Sequence, residues 1–234
     1  MKKTLAFSVI INLLFILFGG YVIHRKGGID YLKMKLNPSL AQSGYSDHYN
    51  VKKSIFEIMP NDTSEIIFLG NSITEGCDWH ELFGNGNIKN RGIGGDIING
   101  VIDRIDEVVS SNPKKIFLMI GINNLGRKNT VEQILTNYEK LITTIREKSP
   151  KTKLFIQSVI PTYKRTDLLN SDIMFINTGL VTLSEKYGLT YLDIFDVLKT
   201  EKNELDPAYT FDGLHLNGKG YLKWKDAIIQ YVND

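Results

Sequence analysis

The apolar positions of this chain follow two rhythms. Short runs read as strands at Ile66–Leu69, Ile88–Asn90, Ile116–Ile120, Leu154–Ser158 and Tyr191–Ile194. Between them, apolar residues recur at helical spacing. Ile97, Ile98, Val101, Ile102, Ile105, Val108 and Val109 form one stripe, which predicts a helix over 97–109. Val131, Ile134, Leu135, Tyr138, Leu141, Ile142 and Ile145 form a second, and Pro150 follows its end. A third helix is predicted over 170–187 with Gly188 as its stop, and a last one over 218–232. Mostly apolar strands that alternate with helices predict a parallel sheet covered on both faces. Its crossovers should be right-handed, and ligands should gather at the carboxyl ends of the strands.

The first residues follow neither rhythm. MKK precedes Leu5–Ile23, which only Ser8, Asn12, Gly19 and Gly20 interrupt. A bilayer-spanning helix needs ~20 mostly apolar residues, and this run is long enough. Residues 1–24 are therefore expected to be a membrane anchor, with a cleaved signal segment as the alternative. Lys2 and Lys3 precede the run, but Arg25, Lys26, Lys33 and Lys35 follow it, so loop charge does not set the topology cleanly. The expected location is extracytoplasmic on a retained anchor, or secreted after cleavage. Residues 25–60, with the breaks HRKGG, NPS and QSGYSD, read as a tether with some local helix. The patterned domain starts near Glu65 and is assigned to 61–234.

Composition narrows the function. The chain has 234 residues and a net charge of +2, with no basic stripe interleaved with aromatics, so nucleic acid is not an expected partner. Cys77 is the single cysteine, which excludes an internal disulfide and a CxxC metal or redox site.

The chemistry-bearing residues cluster after strands. In FLGNSITEG, residues 68–76, Ser72 follows the first strand. It reads either as a helix N-cap or as a nucleophile awaiting a base. Of the four histidines, His24 and His48 read as solvated and His80, at the start of an amphipathic helix, as surface or structural. His215, in FDGLHLNGKGY, has Asp212 three residues before it, so one turn could deliver an imidazole and the carboxylate that orients it. A loop with a turn aspartate is the competing reading, and Asp193 is a more distant candidate orienter. Arg91-Gly92-Ile93-Gly94-Gly95-Asp96 follows the second strand and lets backbone N–H groups approach a ligand. It lacks the Lys-Ser/Thr of a phosphate loop. Gly121-Ile122-Asn123-Asn124 follows the third strand and offers an amide donor, or an ordinary Asx-turn. PTYKRTD at 161–167 reads as a solvated loop, with Tyr163, Lys164 and Arg165 meeting a polar or anionic substrate as the alternative.

Taken together and in order, GNSIT, NRGIGGD, GINN and DGLH resemble the four sequence blocks of the SGNH hydrolases, also called the GDSL esterase/lipase family. The resemblance spans about residues 65–232 and implies a flavodoxin-like three-layer α/β/α sandwich with a five-stranded parallel sheet. It implies Ser72 as nucleophile, His215 as base and Asp212 as its orienter. The oxyanion hole would be the N–H groups of Ser72 and Gly95 and the side chain of Asn123, with no cofactor or metal. The family commonly has Asp before the serine and Leu after it, where this chain has Asn71 and Ile73. The variant is similar to the branch holding platelet-activating-factor acetylhydrolase subunits and carbohydrate O-acetylesterases. That implies a short acyl ester, acetyl above all, on a sugar or cell-surface glycan. A lysophospholipase or thioesterase acting on longer chains, an O-acyltransferase and a non-catalytic binding module are the alternatives.

Overall fold

The computed structural model describes residues 11–13, 15, 17–21 and 45–234. The expected apolar span over 5–23 and the tether up to residue 44 fall largely outside these residues. Among the described residues, no helix is long and apolar enough to cross a membrane.

Asp47–Asp234 form one compact unit. It opens with helix α1 (Asp47–Ile58) and strand β1 (Ile66–Gly70). Two short helices follow, α2 (Ser72–Glu75) and α3 (Trp79–Phe83), and then β2 (Ile88–Gly92). The next crossover holds α4 (Ile98–Asp103) and α5 (Ile105–Val109) before β3 (Lys115–Met119). Then come α6 (Ile122–Gly126), α7 (Val131–Lys148), β4 (Lys153–Gln157) and α8 (Asn170–Tyr187). The chain ends with β5 (Thr190–Leu192), α9 (Ile194–Leu198), a 3-10 turn (Pro207–Tyr209) and α10 (Gly218–Asn233).

The sheet has five parallel strands in the order β2-β1-β3-β4-β5. This is the flavodoxin-like order, and its reversal point lies between β1 and β3, where such sheets bind ligands. Helices flank the sheet: α7 packs against α4 and α8, and α9 against α10.

The register explains part of the core. Phe68 on β1 is level with Phe117 on β3, and Phe117 with Phe155 on β4. Neighbouring strands lie ~4.8 Å apart, so the three rings stack, with centroids 5.0 Å and 4.6 Å apart. Trp79 of α3 stacks on Phe68 at 4.2 Å, and Trp224 of α10 meets Trp79 edge-on at 4.7 Å. Buried Lys115 reaches the end of α10, where its Nζ donates to the Tyr231 carbonyl at 2.7 Å. A cation there satisfies otherwise open helix-end carbonyls.

Two local expectations change. The single stripe over 97–109 is two helices broken at Arg104, whose side chain is drawn into a buried ion network. The stretch expected as a tether with some local helix does hold a helix, α1, but that helix is packed within the compact unit. Its Tyr49 hydroxyl donates to the Gly100 carbonyl at 2.7 Å, and Phe56 is buried with its ring 4.8 Å from the Arg91 guanidinium carbon.

Candidate active site

The site is built from strand ends. β1 stops at Gly70, where a Cβ would sit 2.3 Å from the Met119 carbonyl and 2.3 Å from Thr74 Oγ1. Only glycine allows the chain to turn back so tightly. Asn71 then caps α2, its side-chain oxygen accepting from the Ile73 N–H at 3.0 Å. The cap is therefore the residue before the serine, a task that aspartate performs equally well. The Ser72 hydroxyl is left free of capping. The carbonyls at the end of α2 are also satisfied. Asn90 Nδ2 donates to Thr74 and Cys77, Trp79 Nε1 to Thr74, and the Tyr221 hydroxyl to Ile73.

Ser72 Oγ lies 2.9 Å from His215 Nε2, and His215 Nδ1 lies 2.6 Å from Asp212 Oδ2. A carboxylate only accepts, so Nδ1 carries the proton and the Nε2 lone pair faces the serine. The other Asp212 oxygen accepts from the Leu214 and His215 N–H groups at 2.9 and 2.8 Å. Partial burial pushes the Asp212 carboxyl up. The bonds from the His215 ring and from these two N–H groups outweigh it and hold the carboxyl well below the usual range. Thr210 Oγ1 braces the loop by donating to the His215 carbonyl at 2.8 Å and accepting from Gly213 N–H at 2.9 Å. Gly213 has φ +78°, and a Cβ there would lie 2.1 Å from the Tyr163 carbonyl, so the loop requires glycine.

Gly95 sits between β2 and α4 with φ +75°. Asn123 is on α6, just past β3, and its Nδ2 donates to the Asp96 carbonyl at 2.8 Å. The second amide hydrogen remains for a ligand. Asn124 is committed elsewhere, accepting from Ile98 N–H and donating to Asn129. Gly95 and Asn123 line an open cleft of about 240 Å³ together with Ile122, Arg127, Arg165, Asp167, Leu168 and Leu214. Ser72 and His215 are not among these lining residues; Leu214 joins the cleft to the loop that carries His215. Arg127 Nη2 donates to the Gly95 carbonyl at 3.1 Å, and Arg165 grips Asp167 with two bonds of 2.9 and 2.8 Å. The 161–167 loop, expected to be solvated with contact to a polar substrate as the alternative, thus supplies Arg165 and Asp167 to one wall of the cleft.

Beneath the strand ends lies a network that the sequence pattern did not reveal. Buried Arg104 pairs with Asp96 at 3.0 Å and with Glu107 at 3.0 Å, and donates to the carbonyls of Gly70 and Arg91. Arg91 completes it by pairing with Glu107 at 3.1 Å. His48 is exposed, as expected, and also bonds to Glu75 at 3.1 Å. Asp193, the distant candidate orienter, instead caps α9 through the Asp196 N–H. His80 is exposed, the first of its two readings.

The geometry can be set beside known proteins. The model of the GDSL-like Lipase/Acylhydrolase family matches residues 68–223. Platelet-activating factor acetylhydrolase IB subunit alpha2 of Rattus norvegicus is 28% identical over 166 residues, covering 68% of this chain and 72% of that protein. A Streptococcus pneumonia structure assigned as a platelet activating factor has a TM-score of 0.73 at 26% identity, covering 86% of this chain and 99% of that one. The fold is shared more widely. An acetyl-xylooligosaccharide esterase mutant from Geobacillus Stearmophilus has a TM-score of 0.60 at 14% identity, over 74% of this chain and 96% of that one.

Proposed function

The chain belongs to the GDSL-like lipase/acylhydrolase family, and from that premise we propose that it is a serine esterase releasing short acyl groups, acetyl above all, from a carbohydrate. The observation that carries this reading is the continuous relay from Ser72 Oγ through His215 to Asp212, at 2.9 and 2.6 Å. In the first step Ser72 Oγ attacks the ester carbonyl while His215 Nε2 takes its proton. Asp212 holds the ring and stabilises the imidazolium. The carbonyl oxygen becomes an oxyanion, received by the N–H groups of Ser72 and Gly95 and the amide of Asn123. One such donor is worth ~3 kcal/mol in the transition state. The tetrahedral intermediate then collapses, and His215 returns the proton to the departing alcohol. Water, deprotonated by His215, attacks the acyl-enzyme, which releases the acid and restores the serine.

Two observations support the acyl size and the alcohol. The rat relative is named an acetylhydrolase. The cleft is small, and Arg127, Arg165 and Asp167 offer hydrogen bonds suited to sugar hydroxyls rather than to a lipid tail. The test is acetate release from acetylated oligosaccharides by the full chain and by Ser72→Ala. The reading expects release by the first alone. Equal release by both, or none by either from any ester, overturns it. Acyl transfer to an added sugar acceptor in place of water would make the protein a transferase.

A further inference from the structure

We propose that Glu75 is a positioning residue for the oxyanion loop, and that α1 is the element that holds Glu75 in place. The proposal rests on the roles just assigned to Ser72 and Gly95. Glu75 ends the short helix that Ser72 begins. Its Oε2 accepts from the Gly94 N–H at 2.7 Å. Gly94 immediately precedes Gly95, so one carboxylate ties the serine's helix to the peptide that presents the second donor.

That tie adds to two other restraints on the glycine pair: the Asp96 N–H donates to the Ile93 carbonyl across it at 3.1 Å, and Arg127 Nη2 donates to the Gly95 carbonyl at 3.1 Å. Upstream, the Ile93 N–H is fixed to the Gly70 carbonyl at 3.2 Å. Downstream, Asp96 is fixed by Arg104. Gly94 and Gly95 lie between these two points, and consecutive glycines have wide φ/ψ freedom. A donor displaced by about 1 Å can cost about 100-fold in rate.

The carboxylate needs support of its own, because its side chain is only 22% exposed. Lys52 Nζ lies 2.9 Å from Oε1, and His48 Nε2 lies 3.1 Å from the same oxygen. Both belong to α1. Burial pushes the Glu75 carboxyl up, but the bonds from Lys52, His48 and the Gly94 N–H outweigh it and keep the group below its ordinary range. The helix itself is anchored by Tyr49 on Gly100 and by Phe56 over Arg91. The segment that the sequence offered as a tether is therefore part of the machinery that sets the site.

The experiment uses the full chain and p-nitrophenyl acetate, reading kcat, KM and thermal midpoint. Wild type and Ser72→Ala come first. Turnover that survives in Ser72→Ala, or is absent from wild type, overturns the esterase reading and this proposal with it. With that reading standing, Glu75→Ala should lower kcat about 30- to 100-fold while KM stays within about threefold. Glu75→Gln keeps an oxygen for the Gly94 N–H and should recover most of the lost kcat. The double variant His48→Phe/Lys52→Met, which leaves Glu75 in place, should fall between wild type and Glu75→Ala. A kcat within about twofold of wild type in Glu75→Ala overturns the proposal. So does a loss that merely follows the unfolded fraction, or a Gln variant no better than Ala.

Discussion

Ser72 stands on a turn whose neighbours are almost all hidden from solvent, whereas Asp212 and His215 stand on a loop with side chains 53% and 44% exposed. On the serine side Asn71, Arg91, Asp96 and Arg104 are each at most 3% exposed. Their bonds tie separate elements together: from the break between α4 and α5, Arg104 alone reaches Gly70 on β1, Arg91 on β2, Asp96 in the loop after β2 and Glu107 on α5. On the histidine side most of the bonds run within Thr210–Leu216, with external ties from the Tyr163 N–H to the Gly213 carbonyl at 2.8 Å and between His215 Nε2 and Ser72 Oγ at 2.9 Å. The difference teaches that nucleophile and hole are positioned by the fold itself, while base and orienter are positioned by a local lattice. Damage to the first should cost stability as well as activity. Damage to the second should cost activity with much less loss of stability.

The largest expected effect is on the exposed side. His215→Ala should lower kcat/KM by about 10⁴-fold or more, because the serine loses its base. Its thermal midpoint should stay within a few degrees of wild type. A large fall in that midpoint would break the contrast between the two sides. Next is Arg104→Met, which leaves Asp96 and Glu107 buried with fewer partners. Removing one partner of such a network costs about 3–5 kcal/mol, readable as a lower urea midpoint at unchanged slope. Asn71→Ala removes the α2 cap and should cost about 1 kcal/mol, or about 2–4 °C in thermal midpoint; Asn71→Asp should cost little.

The smallest effect is pH-dependent and belongs to Asp212. Its carboxyl is held below the ordinary 3.8, so near that pH the folded state binds fewer protons than the unfolded state. Its contribution is therefore full above about pH 4 and is lost as pH falls below that value. Asp212→Asn has no such group. The stability difference between wild type and Asp212→Asn, followed by urea unfolding, should shrink as pH is lowered through this range. A difference that grows there contradicts the assignment.

The sheet and the long helices were legible because each buries a continuous apolar run or stripe. α8 matches the expected 170–187, with Gly188 in the left-handed conformation as its stop. Ser72, Gly95 and Asn123 were legible because each closely follows a strand, and strand ends converge in a parallel sheet; Asp212 and His215 lie on the loop before α10 and were legible from their three-residue spacing. The relay pairs Ser72 with a residue |i−j| = 143 away, a distance that no local pattern encodes. What stayed hidden is charge that does not face water. Arg91, Arg104, Asp96 and Glu107 look like ordinary surface residues until tertiary contacts pair them. The packing of α1 was hidden for a related reason. Its buried residues are Tyr49 and Phe56, too few for a continuous apolar stripe, and its role comes from His48 and Lys52 reaching Glu75. The cleft wall at Arg165 and Asp167 depends on how a loop folds, which residue types alone do not specify.

The most direct measurement of the central claim is steady-state hydrolysis of p-nitrophenyl acetate, butyrate and octanoate by the full chain beside Ser72→Ala. The account predicts turnover that is greatest on acetate and lost in Ser72→Ala. Hydrolysis unaffected by removing the Ser72 hydroxyl, or a folded wild-type chain inert toward all three esters, would contradict it.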